Sequence, residues 1–306
     1  MDNHWYFIIN PVSGSGKGLS LWKQVQKELD KNNQKYSFGI SDYHQHTIEL
    51  VKRQYQDGVR NFIGVGGDGT INEMVNAVMS IDNSSNQNTV LGLIPVGTGN
   101  DWVRNFEEPL NAENIVKKIM RADLMRHDVG QVEADYNSNT HYFVNVAGAG
   151  IDGQVVQNLE KLNENGKSGK MSYLSSAIKA LLSFKSPISK CLIGEELAYE
   201  GATLLLTASL GQYFGGGMQI SPGAELNGNK LDFTVVQKVS NWIVFPQLYK
   251  LFTGAIESIS FVKKYHDQHA QMTNSKKIPV QADGEYVGAF KQIKFSVIRD
   301  AIYVLH

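Results

Sequence analysis

The chain has 306 residues, of which 42% are hydrophobic and 19% are charged, and its formal net charge is −1. This length suits about two domains, and the near-neutral charge argues against nucleic acid as the main partner, because a polyanion needs a basic surface. The single cysteine, Cys191, cannot form an internal disulfide, so nothing indicates an oxidising compartment. We find no signal-peptide pattern and no apolar stretch near the ~20 residues that span a bilayer. We therefore expect a cytoplasmic protein whose contact with membranes, if it has any, is peripheral.

Apolar runs typical of buried parallel strands alternate with amphipathic helical segments over the first third of the chain. The predicted strands are Trp5–Ile9, Tyr36–Ile40, 61–65 and 90–94, and the predicted helices carry Leu21, Val25 and Leu29, then Ile48, Val51 and Tyr55, then Ile71, Met74, Val75 and Val78. Such an alternation indicates a parallel sheet with right-handed crossovers. Ligands of such sheets lie beyond the carboxyl ends of the strands.

From about residue 124 the pattern becomes β-rich, which indicates an antiparallel sandwich. The predicted strands are 126–132, 141–146, 203–210, 231–236, 258–262, 278–282 and 293–297, with helices near 171–184 and 242–252. The expected fold class is α/β plus β, with an N-terminal Rossmann-like three-layer parallel-sheet domain and a C-terminal antiparallel β-sandwich domain. The expected boundaries are 1–124 and 125–297, with the tail 298–306 returning to the first domain.

A glycine-rich loop follows the third predicted strand. Residues 66–70 read Gly-Gly-Asp-Gly-Thr and lead straight into a helical pattern. Glycines allow positive φ and close backbone approach, and the first N–H groups of a helix can bind phosphate. Asp68 would repel that phosphate unless a divalent cation lies between them, which indicates Mg²⁺ chemistry. The structural alternative is a packed turn in which Asp68 or Thr70 caps the helix.

Two more polar loops follow predicted strands. Residues 97–101 read Gly-Thr-Gly-Asn-Asp and repeat the first design, with Asp101 as the carboxylate. Residues 10–18 form a turn-rich loop that is not a Walker A sequence, because Gly18 follows Lys17 where that motif requires Ser or Thr. If the strands are parallel, all of these loops face the same crevice.

Five motifs occur in an order typical of one known family. They are residues 10–14 (Asn-Pro-Val-Ser-Gly), 66–73 (Gly-Gly-Asp-Gly-Thr-Ile-Asn-Glu), 95–101 (Pro-Val-Gly-Thr-Gly-Asn-Asp), 213–218 (Tyr-Phe-Gly-Gly-Gly-Met) with Ser221-Pro222, and 283–285 (Asp-Gly-Glu). Together they resemble the diacylglycerol kinase catalytic-domain family, especially its soluble bacterial lipid kinases, over nearly the whole chain. Gly-Gly-Asp-Gly-Thr alone is less specific, since NAD kinases and phosphofructokinases carry similar loops.

The resemblance implies an ATP- and Mg²⁺-dependent kinase in which ATP lies across the first-domain loops and a lipid hydroxyl enters from the second domain. It implies that Asp68, Asp101 and Asp128 hold Mg²⁺ through ordered water and that Glu285 is the general base. The nucleotide contacts that it implies are Asn10, Pro11, Val12, Ser13, Gly14, Ser41, Gly66, Gly67, Asp68, Gly69, Thr70, Ile71, Asn72 and Thr98. On the residues alone, Asp283-Gly284 is also a hairpin-turn signal.

The expected reaction is phosphorylation of diacylglycerol to phosphatidic acid at a membrane surface. The alternatives are a sphingoid-type or undecaprenol-type lipid, a soluble acceptor such as NAD, and a non-catalytic nucleotide-binding regulator. Relatives form dimers, so a homodimer is a further expectation. One departure concerns residues 228–232, Gly-Asn-Lys-Leu-Asp, where the family usually has Asp-Gly-x-Leu-Asp. The first Asp is missing, which puts in doubt a structural cation that some relatives hold there.

One predicted helix has an apolar side flanked by lysines. That side consists of Met171, Leu174, Ile178, Leu181 and Leu182. Such a helix could rest on an anionic membrane surface, or it could pack against the β-rich core. The sequence leaves both interpretations open.

Overall fold

The computed structural model describes residues 4–81, 88–97, 99–135, 140–164 and 170–306, with only the backbone described at 163, 164 and 170–175. The chain divides into two units. The N-terminal unit comprises the chain up to Val129 together with Arg299–His306, and the C-terminal unit comprises Gly130–Ile298.

The N-terminal unit alternates strands with helices. Its elements are β1 (Trp5–Ile9), α1 (Ser13–Gly16), α2 (Gly18–Lys31), β2 (Tyr36–Ile40), α3 (His46–Gln56), β3 (Asn61–Gly66), α4 (Asp68–Ile81), β4 (Val90–Pro95), a 3-10 turn (Val103–Asn105), α5 (Ile115–Arg121) and the first half of β5 (Leu124–Ala134). The last strand of the chain, β15 (Glu285–Leu305), returns its final residues to this unit.

A parallel sheet with the order β2-β1-β3-β4 lies at the centre of this unit, and Tyr303 and Val304 of β15 extend it beside β4, also in parallel. Ile9 pairs with Val65, and Gly66 pairs with Pro95. The loops that follow β1, β3 and β4 therefore leave the sheet at the same edge.

Apolar strands explain why this sheet forms. Every residue of β1 and β3 is buried, as expected for parallel strands covered on both faces. The core includes Phe7 of β1, Ile63 of β3, Trp22 of α2 and Ile115 of α5. The predicted strands and helices of the first 95 residues are confirmed, with ends shifted by a few residues.

The C-terminal unit is mostly β-structure. Its elements are β6 (His141–Phe143), β7 (Val146–Gly150), α6 (Ile151–Glu164), α7 (Lys170–Ser183), β8 (Ile188–Ile193), β9 (Glu196–Ser209), β10 (Tyr213–Phe214), β11 (Met218–Gln219), β12 (Leu231–Gln237), α8 (Asn241–Val244), a 3-10 turn (Phe245–Gln247), α9 (Lys250–Thr253), a 3-10 turn (Ala255–Ser258), β13 (Val262–Asp267), β14 (His269–Ala282) and most of β15.

Antiparallel pairing dominates this second unit. Its main sheet has the order β13-β12-β9-β7-β14-β15, with β8 beside both β9 and β14, and the pairings recorded among these strands are antiparallel. A separate core cluster buries Leu205, Val236, Val244 and Phe261. The expected β-rich unit is therefore present.

The predicted strand over 141–146 is wrong in its length, because it consists of β6 and β7 with a break at Val144 and Asn145. The backbone N–H groups at this break donate to the carboxylate of Asp283. A side chain thus accepts the hydrogen bonds that a neighbouring strand would otherwise accept. No local pattern of residues predicts this.

The single helix predicted over 242–252 is also wrong, because the segment forms α8, a 3-10 turn and α9 in succession. Pro246, within the 3-10 turn, has no N–H to continue a regular helix. The strand predicted over 258–262 is wrong too. There the N–H of Ile259 donates to Ile256 at 3.1 Å and that of Val262 donates to Ile259 at 3.0 Å, so the backbone is bonded locally. The elements α1, α5, α6, β8, β10 and β11 were not predicted.

Among the described residues, none of the helices has the combination of length and apolar character needed to cross a membrane.

Candidate functional site

The loop that follows β1 touches the loop that follows β4. Gly14 has a φ of +59°, and a Cβ atom added to it would lie 2.7 Å from Cγ1 of Val96 and 3.1 Å from the backbone nitrogen of Gly97. Position 14 therefore needs glycine both for its left-handed conformation and for space. Two of the loops that the motifs singled out are thus in direct contact.

Asn10 shapes the first of these loops. Its Oδ1 accepts the N–H groups of Val12 and Ser13, each at 3.2 Å, which is the geometry of an Asx turn. Its own N–H donates to the carbonyl of Val65 at 3.0 Å. The first loop is therefore anchored to the end of β3, next to the glycine-rich loop. Pro11, between these residues, is half-buried.

The helix α4 begins within the glycine-rich loop. The N–H groups of Thr70 and Ile71 donate to the carbonyl of Gly67 at 2.9 and 3.4 Å. Gly66 lies so close to Thr70 that an added Cβ would be 2.1 Å from its Oγ1. The side chains of Thr70 and Ile71 are buried and their N–H groups are bonded to Gly67, so their role as nucleotide contacts stays a prediction.

Asp68, at the start of α4, joins the glycine-rich loop to the loop after β4. Its Oδ2 accepts the N–H of Asp101 at 3.0 Å, and its Oδ1 accepts the N–H of Trp102 at 3.1 Å. Burial raises the pKa of Asp68 above its ordinary value, and these backbone donors act in the opposite direction. The carboxylate therefore holds a backbone segment in place and lies next to a second carboxylate residue, Asp101.

Asp101 is buried and faces a cation of its own. The Nε atom of Arg104 lies 3.3 Å from its Oδ1. Arg104 Nε also donates to the carbonyl of Gly99 at 3.3 Å. The arginine thus ties the 99–104 segment together from its exposed side.

Trp102 and His127 form a buried pair that sequence reasoning missed. The indole Nε1 donates to Nε2 of His127 at 3.1 Å, and because an indole N–H can only donate, Nε2 is the acceptor and the imidazole proton is on Nδ1. Nδ1 in turn bonds to the backbone oxygen of Asp128. Burial lowers the pKa of His127 to about 4, so the ring is neutral near pH 7.

The carboxylate of Asp128 has a different environment from those of Asp68 and Asp101. Its residue has no exposed surface, and its Oδ1 accepts the N–H of Asp300 at 2.8 Å. This bond attaches the final segment of β15 to β5. Asp68 is bonded directly to the backbone of Asp101, whereas the bond described for the Asp128 carboxylate leads to Asp300.

The oxygen chemistry of Asp68 and Asp101 fits a magnesium ion that keeps much of its water shell. Mg²⁺ is usually bound by one or two carboxylates together with waters and substrate phosphates. No group of three or more His, Cys, Asp or Glu side chains that could hold a metal ion occurs in the part of the chain that is described. A metal here would therefore depend on water and phosphate for most of its ligands, and the metal role of Asp128 stays a prediction.

The remaining predicted contacts of the first domain lie around these loops. Ser41, at the end of β2, donates its N–H to the carbonyl of Ile9 at 2.9 Å, which fixes it beside the first loop. Asn72 is buried, and its carbonyl and Oδ1 accept Nδ2 of Asn76 at 2.9 and 3.2 Å. Thr98 lies outside the described residues.

In the C-terminal unit, Glu285 begins β15 immediately after a tight turn. Ala282 pairs with Glu285, and the two residues between them, Asp283 and Gly284, have φ angles of +48° and +85°. Positive φ at both central positions is typical of a type I′ hairpin. The hairpin turn expected from Asp283-Gly284 is confirmed, and it is this turn that carries the half-buried Glu285.

The carboxylate of Asp283 fixes this hairpin to the break between β6 and β7. Its Oδ2 accepts the N–H of Val144 at 2.8 Å, and its Oδ1 accepts those of Asn145 and Val146, each at 3.0 Å. Hydrogen bonds to an ionised carboxylate are stronger than neutral ones. Asp283 therefore sets the position of the turn that bears Glu285.

The side chain of Gln281 is hydrogen-bonded both to this hairpin and to Asp152. Gln281 accepts the N–H of Gly284 on Oε1 at 2.8 Å and donates from Nε2 to Oδ2 of Asp152 at 3.1 Å. Burial raises the pKa of Asp152 to about 6, although hydrogen bonds from Gln281 and the backbone lower it. Sequence reasoning missed both residues, and the only signal was that Asp152 lies two residues after the end of the glycine-rich strand β7.

Asp232, which follows the sequence departure at residues 228–231, is bound by basic side chains. His266 Nδ1 lies 2.5 Å from its Oδ1, and Lys264 Nζ lies 4.0 Å from its Oδ2. Asp232 is buried, so its charge is balanced by protein groups.

Comparison with known families assigns both units to one class of protein. The family description "Diacylglycerol kinase catalytic domain" matches residues 4–132. The description "YegS C-terminal NAD kinase beta sandwich-like domain" matches residues 145–306, which is more than half of the chain. The chain therefore belongs to the diacylglycerol kinase family of two-domain kinases with a C-terminal β-sandwich. The resemblance inferred from the motifs is confirmed.

Individual relatives agree with this assignment. The chain is 27% identical over 297 residues to "Putative lipid kinase YtlR" of Bacillus subtilis, with 94% of each chain covered. It is 26% identical over 302 residues to "Putative lipid kinase SaurJH9_0749" of Staphylococcus aureus, covering 94% of this chain and 88% of that one.

Solved structures share the fold. A structure titled "Crystal structure of a putative diacylglycerol kinase from Bacillus anthracis str. Sterne" aligns with a TM-score of 0.79 and 19% identity, over 99% of this chain and 95% of the other. An NAD kinase from Archaeoglobus fulgidus, solved in complex with ATP, aligns with a TM-score of 0.54 and 12% identity, over 99% and 93%. At these identities the likeness concerns the fold alone.

Proposed function

We propose that this protein is an ATP- and Mg²⁺-dependent lipid kinase that phosphorylates diacylglycerol to phosphatidic acid. The observation that carries the proposal is the junction of three loops at one edge of the parallel sheet, where Gly14 touches Gly97 and Asp68 holds the backbone of Asp101 and Trp102. Family membership supports a kinase. The parallel sheet between helices supports a Rossmann-like description of the N-terminal unit.

The nucleotide would bind along these loops through backbone groups. The glycines of residues 66–69 and the start of α4 offer N–H groups to phosphate oxygens. Gly14 and Gly97 have no side chain, so a phosphate can approach the backbone closely. Asn10 and Ser41 would line the same edge, because both are bonded to the ends of the central strands.

The metal role falls to Asp68 and Asp101 in this proposal, with Asp128 as a further candidate. When it is bound, Mg²⁺ neutralises charge on the phosphates and helps to align them for transfer. Asp68 and Asp101 would hold the ion by accepting hydrogen bonds from its water ligands. Asp68 is especially suited to this because α4 begins at that residue, and its two bonds to the 101–102 backbone fix its direction.

Glu285 would act as the general base. Its carboxylate would accept the proton of the acceptor hydroxyl as that oxygen forms its bond to the γ-phosphorus, and ADP would leave. A base of this kind must be held in one position to be effective. The type I′ turn, the carboxylate of Asp283 and the side chain of Gln281 supply such support.

NAD is a second candidate acceptor. The likeness of the fold to an NAD kinase favours testing it, and so does the name of the family that matches the C-terminal domain. Sphingoid-type and undecaprenol-type lipids share the acceptor chemistry of diacylglycerol, since each offers a hydroxyl. The acceptor panel should therefore include all of these.

The direct test is to incubate the purified protein with Mg²⁺, γ-labelled ATP and each acceptor in turn. The lipids are supplied in mixed micelles and NAD in solution. We expect labelled phosphatidic acid, and we expect Glu285→Gln to abolish it while Glu200→Gln, an exposed carboxylate in β9, does not. Labelled NADP with no labelled lipid would replace the lipid assignment. No transfer to any acceptor by a folded protein that binds ATP would overturn the kinase proposal.

A further inference from the structure

The segment from α8 to α9 has apolar side chains on both its inner and its outer side. Its inner residues, Val244, Phe245 and Leu251, pack into the core of the C-terminal unit. Its outer residues are large and exposed: Trp242 by 86%, Phe252 by 64% and Tyr249 by 61%. A segment at the surface of a protein in water normally has a polar outer side. We therefore expect these outer residues to bind an apolar partner.

The helix α7 extends this exposed surface. Nδ2 of Asn241, the first residue of α8, donates to the carbonyl of Leu181 in α7 at 3.0 Å. Leu181 is buried, whereas Leu182 and Ile178 on the same helix are exposed. We refer to the exposed side chains of both segments as the apolar face, which consists of Ile178, Leu182, Trp242, Ile243, Leu248, Tyr249 and Phe252.

The charged residues within the two segments that carry the apolar face have one sign. Residues 170–194 and 237–256 contain no Asp or Glu, but they contain Lys179, Lys185 and Lys250 among their lysines. Lys179 and Lys185 are exposed. The first carboxylate after the second segment, Glu257, is 3.4 Å from Lys264 and is therefore paired. A partner of this face must accept cations as well as apolar groups.

We propose that the apolar face is the surface by which this protein lies on an anionic phospholipid membrane. Trp and Tyr have an apolar body and a polar tip, which suits the boundary between head groups and acyl chains. Lysines beside them are attracted to the negative surface of the bilayer. Sequence analysis gave two interpretations of the apolar side of α7, and each holds for some of its residues. Leu181 packs inward, whereas Ile178 and Leu182 face outward.

The apolar face is connected to the structural elements around Glu285 within the same unit. Gly254, which ends α9, lies against Gln219 of β11, where an added Cβ would be 2.3 Å from Oε1. Tyr213, on the strand paired with β11, accepts Nδ2 of Asn145 at 2.7 Å. Asn145 in turn donates its N–H to Asp283. The proposal deepens the proposed lipid kinase function by naming the surface that would contact the lipid phase.

The protein contains a natural probe for this proposal. Of its four tryptophans, Trp5, Trp22 and Trp102 are buried and Trp242 is exposed. Vesicles made of equal parts phosphatidylglycerol and phosphatidylcholine, added without ATP, should shift the tryptophan emission to the blue. Phospholipids brominated in their acyl chains should quench it. Pure phosphatidylcholine vesicles should bind more weakly, and salt should reduce binding to the anionic vesicles.

Variants test whether this particular face is responsible. Trp242→Ser and Phe252→Ser should each reduce co-sedimentation with the anionic vesicles by about tenfold. Phe252→Ser retains Trp242 and should also reduce the blue shift. The matched control is Leu197→Ser, because Leu197 is an exposed apolar residue of the same unit that lies between Glu196 and Glu200. This control should bind vesicles as the wild type does.

Three results would overturn the proposal. One is a failure of the folded wild type to co-sediment with the anionic vesicles, and another is binding that leaves the emission of Trp242 unchanged. The third is a dimer in solution that shields Trp242 from acrylamide and that Trp242→Ser converts to monomers, which would assign the face to a second copy of the chain. Because these measurements use neither ATP nor turnover, a protein that phosphorylates lipid in micelles but fails here would contradict only this inference.

Discussion

Gln281 donates a hydrogen bond from Nε2 to Oδ2 of Asp152 at 3.1 Å, and both side chains are buried. Since the other end of Gln281 accepts the N–H of Gly284, the carboxamide has a fixed orientation, and Asp152 must act as an acceptor. Two hydrogen bonds through Gln281 therefore connect a buried carboxylate to the turn that carries Glu285.

This buried carboxylate should make stability depend on pH. The pKa of Asp152 is raised to about 6 in the folded protein, compared with about 4 in an unfolded chain. The folded state then binds the proton more tightly, so the stability contributed by this group falls as the pH rises from about 4 to 6. Asp152→Asn cannot ionise. From pH 4 to pH 7 the free energy of unfolding of the variant should therefore rise relative to wild type, by about 2 kcal/mol.

Urea unfolding at both pH values, followed by far-UV circular dichroism, measures this change. A difference between Asp152→Asn and wild type that is the same at pH 4 and pH 7 would contradict the prediction.

Asp283→Asn should impair both stability and turnover. The NH2 group of the asparagine would face backbone N–H groups of residues 144–146, which would then lack an acceptor. Loss of an acceptor for a buried donor lowers the free energy of unfolding by on the order of 1–3 kcal/mol. The turn bearing Glu285 would then be less well fixed, and kcat should fall by about ten- to a hundredfold. Thermal unfolding and steady-state kinetics with the acceptor lipid measure the two effects.

Asp135→Asn is the matched control for Asp283→Asn. Asp135 also has a positive φ, and its Oδ1 accepts the N–H groups of Lys291 and Gln292. We expect this variant to lose some stability and to retain its kcat. Equal losses of kcat in both variants would show that the effect of Asp283 is not specific to the hairpin.

Asp68 should be required for turnover through its charge and for stability through its hydrogen bonds. Asp68→Asn keeps the shape of the side chain but removes the charge, and Asp68→Ala also removes the acceptors of the Asp101 and Trp102 N–H groups. Both variants should lose turnover by about a thousandfold or more. The alanine variant should lose about 1–3 kcal/mol of stability in addition. Retention of most activity by the folded Asp68→Asn variant would remove this carboxylate from the mechanism.

Gly14→Ala should weaken ATP binding. The added methyl group would lie 2.7 Å from Val96, on a residue with a φ of +59°, so the loop after β1 must move away from the loop after β4. We expect the dissociation constant for ATP, measured by calorimetry, to rise by about tenfold or more, since about 1.4 kcal/mol corresponds to each factor of ten.

Gly16→Ala is the control for Gly14→Ala, because Gly16 has a φ of +87° but no atom within 4 Å of an added Cβ. This variant has the conformational strain without the contact. If both variants weaken ATP binding equally, the contact between the loops is not what matters.

The strands β1 to β4 and their glycine loops could be predicted because parallel strands covered on both faces are continuous apolar runs, which remain visible in the sequence. The motif at residues 66–70 was likewise informative, because glycines and a carboxylate at a strand end restrict the chemistry to a few possibilities. The turn at Asp283-Gly284 was recognised for the same local reason. In each case the signal and the structure involve residues that are close together in the chain.

Only the tertiary structure decided where the side chains between distant segments go. Asp283 takes the backbone donors of residues 144–146, His127 accepts from Trp102, and Asp152 supports Gln281, yet no pattern in the sequence pairs these positions. The exposure of Trp242 could not be predicted from the sequence either, because an apolar residue in a short helix can pack inward or outward. By itself the sequence determined the parallel strands β1 to β4, the loops that follow them and the family, since these depend on local periodicity and contiguous motifs. Folding decided which carboxylates hold the candidate site together and which apolar side chains remain exposed, because both depend on contacts between residues that are far apart in the chain.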